Sequence, residues 1–148
     1  MKIEELKAWC DKHCISDLLK PSRIHQVPSW GEDIFIKRED ENGFLGGSKM
    51  RKYASLLRFA LDHGTEGLRI IGGANSNHVP SLMSLAKQYG LKIELWLKKP
   101  HHAKPQGTAW LTALIQGDSP ICWVEDDNWA KVDDLAGEDL PENYIVIP

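Results

Sequence analysis

The feature that most constrains the fold is an alternation of helical and strand-like segments between residues 49 and 125. Helical spacing begins at Lys49 and runs to about His63, with Met50, Tyr53, Leu57, Ala60 and Leu61 on one face and Gly64 at the stop position. Residues 68–71 then form an apolar strand. A second helix sets Val79, Leu82, Met83 and Ala86 on one face, with Pro80 in its first turn and Gly90 at its close. Residues 92–97 alternate Ile93, Leu95 and Leu97 with Glu94 and Trp96, the pattern of a strand less deeply buried than its neighbour. A short helix over 108–116 and a strand over 121–125 complete the series. Strands that alternate with helices form parallel βαβ units, with helices covering both sheet faces. The expected fold class is α/β, a three-layer αβα sandwich with a mostly parallel sheet.

The flanking segments are less regular. Residues 2–14 read as a short amphipathic helix with Ile3, Leu6, Trp9 and Cys10 on one face. Residues 21–31, with Pro28 and Gly31, read as extended loop. Residues 33–38 read as a strand through Ile34, Phe35 and Ile36. The run Lys37-Arg38-Glu39-Asp40 leaves it as a solvated end or as an ion-paired rim beside a polar site. Residues 99–104 read as a basic loop in which His101 and His102, being adjacent, do not face one ligand. The acidic stretch from Asp126 to Asp139 contains Trp129, Val132 and Leu135 and is expected to be partly helical. Residues 144–147 form a last strand.

Bulk properties remove several classes of function. The 148 residues are 42% hydrophobic, enough for a real core, and the net charge of -3 gives no broad nucleic-acid surface. No apolar run approaches the roughly 20 residues of a membrane span. Cys10, Cys14 and Cys122 make no disulfide framework, and a zinc site at Cys10, His13 and Cys14 lacks a second ligand cluster. Reduced thiols in a cytoplasmic protein are the simpler expectation.

Two stretches carry chemistry. Gly46-Gly47-Ser48-Lys49 puts a lysine in the first turn of a helix behind a glycine bend, with Ser48 as a candidate N-cap. The amino end of a helix carries partial positive charge, which favours the neutral, nucleophilic form of an amine placed there. An ordinary surface lysine is the competing reading. Gly72 to His78 follows a strand and enters a helix, where Asn75 or Ser76 can cap and free backbone N–H groups can hold a carboxylate or phosphate. A βα turn, however, uses glycines and a cap whether or not it binds anything. The dinucleotide fingerprint, the nucleotide-hydrolase lysine loop and the Gly-x-Ser-x-Gly elbow are all missing. A lysine able to form an imine, beside groups that hold a carboxylate, is what pyridoxal phosphate chemistry requires.

The run "IKREDENGFLGGSKMRK" at residues 36–52, together with "IIGGANSNH" at 70–78, resembles the 1-aminocyclopropane-1-carboxylate deaminase and D-cysteine desulfhydrase family. These are pyridoxal-phosphate enzymes of the tryptophan synthase β-like group, fold type II. The resemblance covers residues 24–98 well and the rest more loosely. It implies that Lys49 carries the cofactor, that Lys52 partners its phosphate, and that Asn77 bonds its ring hydroxyl. It further implies that Ser76, Asn77 and His78 hold the substrate carboxylate, with Ser76 also serving proton transfer. The implied substrate is a small amino acid such as D-cysteine or 1-aminocyclopropane-1-carboxylate, converted to a 2-oxo acid and ammonia. Ser48 stands where the family usually has asparagine, and Asn75 where it often has glutamine. His78 leans toward the desulfhydrases.

The resemblance also implies a longer protein, with the phosphate-cradling glycine loop and the group facing the pyridine nitrogen in a second half. Residues 1–48 would belong to a large domain, 49–130 to a small αβα domain, and 131–148 to a linker and the first returning strand of the large one. The longer form would be a homodimer. A shortened chain would be inactive alone and would self-associate through exposed apolar surface, with Trp30, Trp96, Trp110, Trp123 and Trp129 either facing the missing half or filling the core. The alternative is a non-catalytic αβα module that binds a small anion or a partner chain. A cysteine-synthase-like enzyme is disfavoured by the local pattern Ser76-Asn77-His78.

Overall fold

The computed structural model describes residues 21–43, 45, 47–101, 104 and 106–148. The expected helix over 2–14, Cys10, His13 and Cys14, together with Phe44, Gly46 and His102, lies outside the described residues. In chain order the elements are β1 (Ile24–Gln26), β2 (Phe35–Lys37), a single 3-10 turn (Glu39–Glu41), α1 (Lys49–Asp62), β3 (Gly67–Gly73), α2 (His78–Gln88), β4 (Lys92–Lys98), α3 (Thr108–Gln116), β5 (Ile121–Val124), α4 (Asp126–Trp129), α5 (Val132–Glu138) and β6 (Tyr144–Ile147).

Four strands form one parallel sheet in the order β5-β4-β3-β6. The period-two alternation of β3 and β4 divides its side chains between two layers. On one face Leu68, Ile70, Ile93, Leu95, Leu97 and Ile147 pack against Met50, Tyr53, Leu57 and Ala60 of α1 and Val79, Leu82, Met83 and Ala86 of α2. Each fully buried Leu, Ile or Met here contributes about 1.5–3 kcal/mol by leaving water. On the other face Ile71 and Val124 meet Val132 and Ala136 of α5, with Trp96, Trp129 and Val146 at the margin. The αβα layering is the expected one.

Arg69 is the exception on that second face. It is 5% exposed. Its Nε donates to Glu94 Oε2 at 2.8 Å, and its two terminal nitrogens donate to the backbone carbonyls of Ala136 (2.7 Å) and Asp139 (3.0 Å). Its guanidinium also lies over the Trp96 ring, 5.1 Å from the centroid. A buried arginine is tolerated because its donors find acceptors. The consequence is that α5 is strapped to the sheet.

The region before α1 departs from expectation. Residues 24–26, read as loop, pair antiparallel with Phe35–Lys37 in a separate two-stranded sheet. The strand expected over 33–38 is shorter, and its apolar residues are not core. Ile34, Phe35 and Ile36 are all exposed. A two-stranded ribbon has no second layer to bury them against. Beyond it, Glu39 accepts hydrogen bonds from Lys37, Arg51, Ser22 and Asn42. The charged run is thus an ion-paired hub that ties the ribbon to the first turns of α1.

Among the described residues no helix is long and apolar enough to cross a membrane.

Candidate active site

β3 ends at Gly73, and α2 begins five residues later. Its amino terminus therefore opens beyond the carboxyl end of a parallel strand, where such sheets receive ligands. Gly72 allows the close approach of the two elements, because a Cβ there would lie 2.6 Å from Val79 Cγ2. α1 starts beside this loop. Gly47 has φ 120°, a backbone state that favours glycine, and its carbonyl accepts the Met50 N–H at 3.0 Å.

Two adjoining clefts share Lys49, Tyr53, Ser76 and His78. The larger, of about 440 Å³, adds Lys52 from α1 and is lined across from it by Trp129, Val132 and Asp133. The smaller, of about 280 Å³, adds Ser48, Asn77 and Ser81. All five residues singled out in the sequence line one or both clefts.

Lys49 and Lys52 lie one turn apart on α1, both exposed. Among the described residues neither has a hydrogen-bond or ion-pair partner. Arg51, between them, is neutralised by Glu39 at 3.0 Å. The cleft therefore meets two unpaired like charges, a mildly unfavourable arrangement that an anion would relieve. Ser48 precedes the helix but makes no cap. Its own backbone is already helical (φ -56, ψ -28), so its hydroxyl does not reach the first free amides. In the second stretch Asn75 is exposed, and Ser76 Oγ accepts the His78 N–H at 3.2 Å. Asn77 Oδ1 accepts from Thr108 Oγ1 of α3 at 2.8 Å, which leaves its amide nitrogen without an acceptor among the described residues.

His78 Nδ1 meets Tyr53 Oη at 2.7 Å, and Nε2 is buried without a hydrogen-bond partner among the described residues. Burial, then the cations Lys49 and Lys52, push its pKa below the ordinary 6.5, with the Ile71 carbonyl opposing weakly. The ring is thus held neutral beside two cations. Burial raises the Tyr53 hydroxyl above 10.0, so it stays a proton donor.

Tyr53 and Thr108 are the polar partners that sequence reasoning missed. Tyr53 counted only as a core residue of the helix face, and Thr108 only as a helix start. A hydroxyl-bearing ring one turn beyond Lys49 was the available signal for the first.

No protein-family model matches the sequence. Among curated proteins the chain is 32% identical over 126 residues to the D-cysteine desulfhydrase of Klebsiella pneumoniae, covering 80% of this chain and 38% of that protein. It is 31% identical over 122 residues to a provisionally named 1-aminocyclopropane-1-carboxylate deaminase of Thermotoga maritima, covering 79% and 38%. Among solved structures it superposes on the crystal structure of an ACC deaminase homologue with TM-score 0.73 and 26% identity, covering all of this chain and 48% of that one. The chain thus spans about two fifths of the length of the curated relatives it matches. In sequence and in fold, it is homologous to the D-cysteine desulfhydrase and 1-aminocyclopropane-1-carboxylate deaminase family, over less than half of a member's length.

Proposed function

We propose that the paired clefts are the lysine-bearing part of a pyridoxal-phosphate site acting on a small amino acid. The activity of the whole assembly would be that of a deaminase or desulfhydrase. D-cysteine or 1-aminocyclopropane-1-carboxylate, with water, would yield a 2-oxo acid and ammonia, and sulfide in the first case. The observation that carries this reading is the pair of cations Lys49 and Lys52, without partners among the described residues, that line one cleft with Ser76 and His78 at the amino terminus of α2.

The residues present fit the cofactor's chemistry. Bound there, pyridoxal phosphate would supply an electron sink for charge at the substrate α-carbon. Lys49 Nζ would join it, and Lys52 would neutralise its phosphate. Asn77 would offer its amide N–H to the ring hydroxyl, held in place by Thr108. Ser76 and the first amides of α2 would bind the substrate carboxylate, because helix N-terminal N–H groups lack partners and favour negative charge. Ser76 Oγ is the group best set to pass a proton there. His78, neutral, adds no charge that would compete with the lysines for the substrate.

The test is the absorbance spectrum of the purified chain mixed with pyridoxal phosphate, beside a Lys49→Ala variant. A long-wavelength band that survives dialysis and is missing in the variant is the expected result, followed by assay of D-cysteine turnover. The same weak, dialysable band in both proteins overturns binding at Lys49. It would favour the second reading, a non-catalytic αβα module that takes a small anion or a partner chain.

A further inference from the structure

A further pocket is lined in part by Ala74 and Asn75, just before the residues that line the lysine clefts. It is about 160 Å³ and lies between α3 and the strands β4 and β5. Its floor is Leu97, which is 1% exposed, and Ile121. The space exists because of the sequence of α3. Ala109 and Ala113, one turn apart, line the pocket, while the bulky Trp110 and Leu114 of the same helix point to solvent at 55% and 76% exposure. Two alanines over a floor of Leu and Ile leave a gap that larger side chains would have filled. The Trp123 ring forms one edge. A pocket of this size and lining accepts a molecule of about the size of benzene.

The mouth is polar. Lys104 and Gln106 stand there, and Lys104 has no ion-pair partner among the described residues. An apolar floor with a single unpaired cation at the rim matches a small aromatic or aliphatic carboxylate, its hydrocarbon end inward and its charge at Lys104.

The pocket is also joined to the lysine clefts. Ala74 and Asn75 form part of its wall, and the next two residues, Ser76 and Asn77, line the clefts. Thr108, which bonds Asn77 Oδ1, is the first residue of the helix that carries Ala109 and Ala113. Any shift of α3 to admit a guest is therefore delivered to Asn77. We propose that this pocket is a second binding site, for a small apolar carboxylate, whose occupancy repositions Asn77 through Thr108.

Backbone NMR of the chain titrated with benzoate tests this, with benzyl alcohol as the uncharged probe. Saturable shifts are expected at the amides of Ala109, Ala113 and Trp123, extending to Asn77. Ala109→Leu fills the space and should weaken benzoate by at least about tenfold, or about 1.4 kcal/mol. Lys104→Ala, an exposed change that leaves the core untouched, should weaken benzoate by about tenfold and leave benzyl alcohol unchanged. Spectra of each variant without probe report that the fold is intact. No saturable shift, or equal binding by Ala109→Leu, overturns the site. Equal affinity for the two probes overturns the carboxylate assignment, and a response that stops short of Asn77 overturns the coupling. None of these readouts uses pyridoxal phosphate, so they stand or fall separately from the proposed chemistry at Lys49.

Discussion

Tyr53 and His78 join the two chemically loaded stretches of the chain by one hydrogen bond of 2.7 Å between a buried phenol and a half-buried imidazole. The rings also meet at a centroid distance of 5.3 Å. One belongs to the helix that starts at Lys49 and the other to the helix that follows Ser76 and Asn77, so the bond sets the spacing of the two walls. Tyr53→Phe keeps the ring and leaves Nδ1 of a half-buried imidazole without its partner. The expected cost is about 1–3 kcal/mol, read by urea unfolding. A variant as stable as the parent would show that the bond does not brace the walls.

His78 should titrate below 6.5 in the folded chain, because burial and the charges of Lys49 and Lys52 oppose its protonation. The folded pKa is depressed, so the unfolded chain binds the extra proton first. Stability from the neutral ring is complete above 6.5 and is lost as pH falls toward the folded value. Lys49→Ala removes one opposing charge and should move the His78 midpoint upward in an NMR titration. An unmoved midpoint would mean that the lysine does not act on the ring.

Glu39 makes the opposite end of the pH range informative. Hydrogen bonds from Lys37, then Arg51, hold its carboxyl at about 2 instead of 4.5. Its stabilisation is present above 4.5 and is lost as pH falls through that interval. Glu39→Gln should flatten the acid limb of the stability curve between about 4.5 and about 2. If parent and variant lose stability in parallel over that interval, the hub contributes nothing.

Arg69 serves four partners with one guanidinium. Lysine has three donors on one atom but not the planar fork that spreads them over separated acceptors and a ring face. Arg69→Lys should therefore fail to rescue Arg69→Met, and both should lose about 3–5 kcal/mol, since buried acceptors are left without donors. Thermal unfolding of the two variants checks it. The larger cleft should suffer with the fold, because Trp129, Val132 and Asp133 stand on the segment that Arg69 straps down.

Gly67 tests the sheet edge. A Cβ there would lie 2.3 Å from the Tyr144 ring. Gly67→Ala should push β6 away from β3 and cost about 1–3 kcal/mol as an overpacking change. Replacing Tyr144 with alanine as well should recover much of that loss, and a double-mutant cycle measures the coupling.

The layered architecture was legible because helix and strand periods differ. Residues 49–98 show each in turn, and parallel pairing follows from the crossovers. Thr108–Gln116 and Tyr144–Ile147 fall where their patterns put them. Of the β1–β2 ribbon only β2 was legible, as part of the strand read over 33–38, while β1 was read as loop because three residues show too little alternation to register. The meeting of Lys49, Lys52, Ser76, Asn77 and His78 around adjoining clefts could be anticipated from strand-end geometry and from resemblance. The partners that hold the site could not. Periodicity reports which face Tyr53 takes but not what its hydroxyl finds. A strand arginine such as Arg69 looks solvated until carbonyls from Ala136 and Asp139 arrive from a distant segment.

The strand order has a kinetic meaning. β3 is built from residues 67–73, but one of its two neighbours is β6, from residues 144–147. Local units such as α1, β3, α2 and β4 can associate as soon as they are made, whereas the pairing with β6 must close a long loop and so comes late. The strap from Arg69 to Ala136 and Asp139 depends on the same late segment. The cleft's cationic wall would then form early and its far wall last. During synthesis Lys49 and Lys52 would stand open to solvent until residues well beyond β5 have emerged.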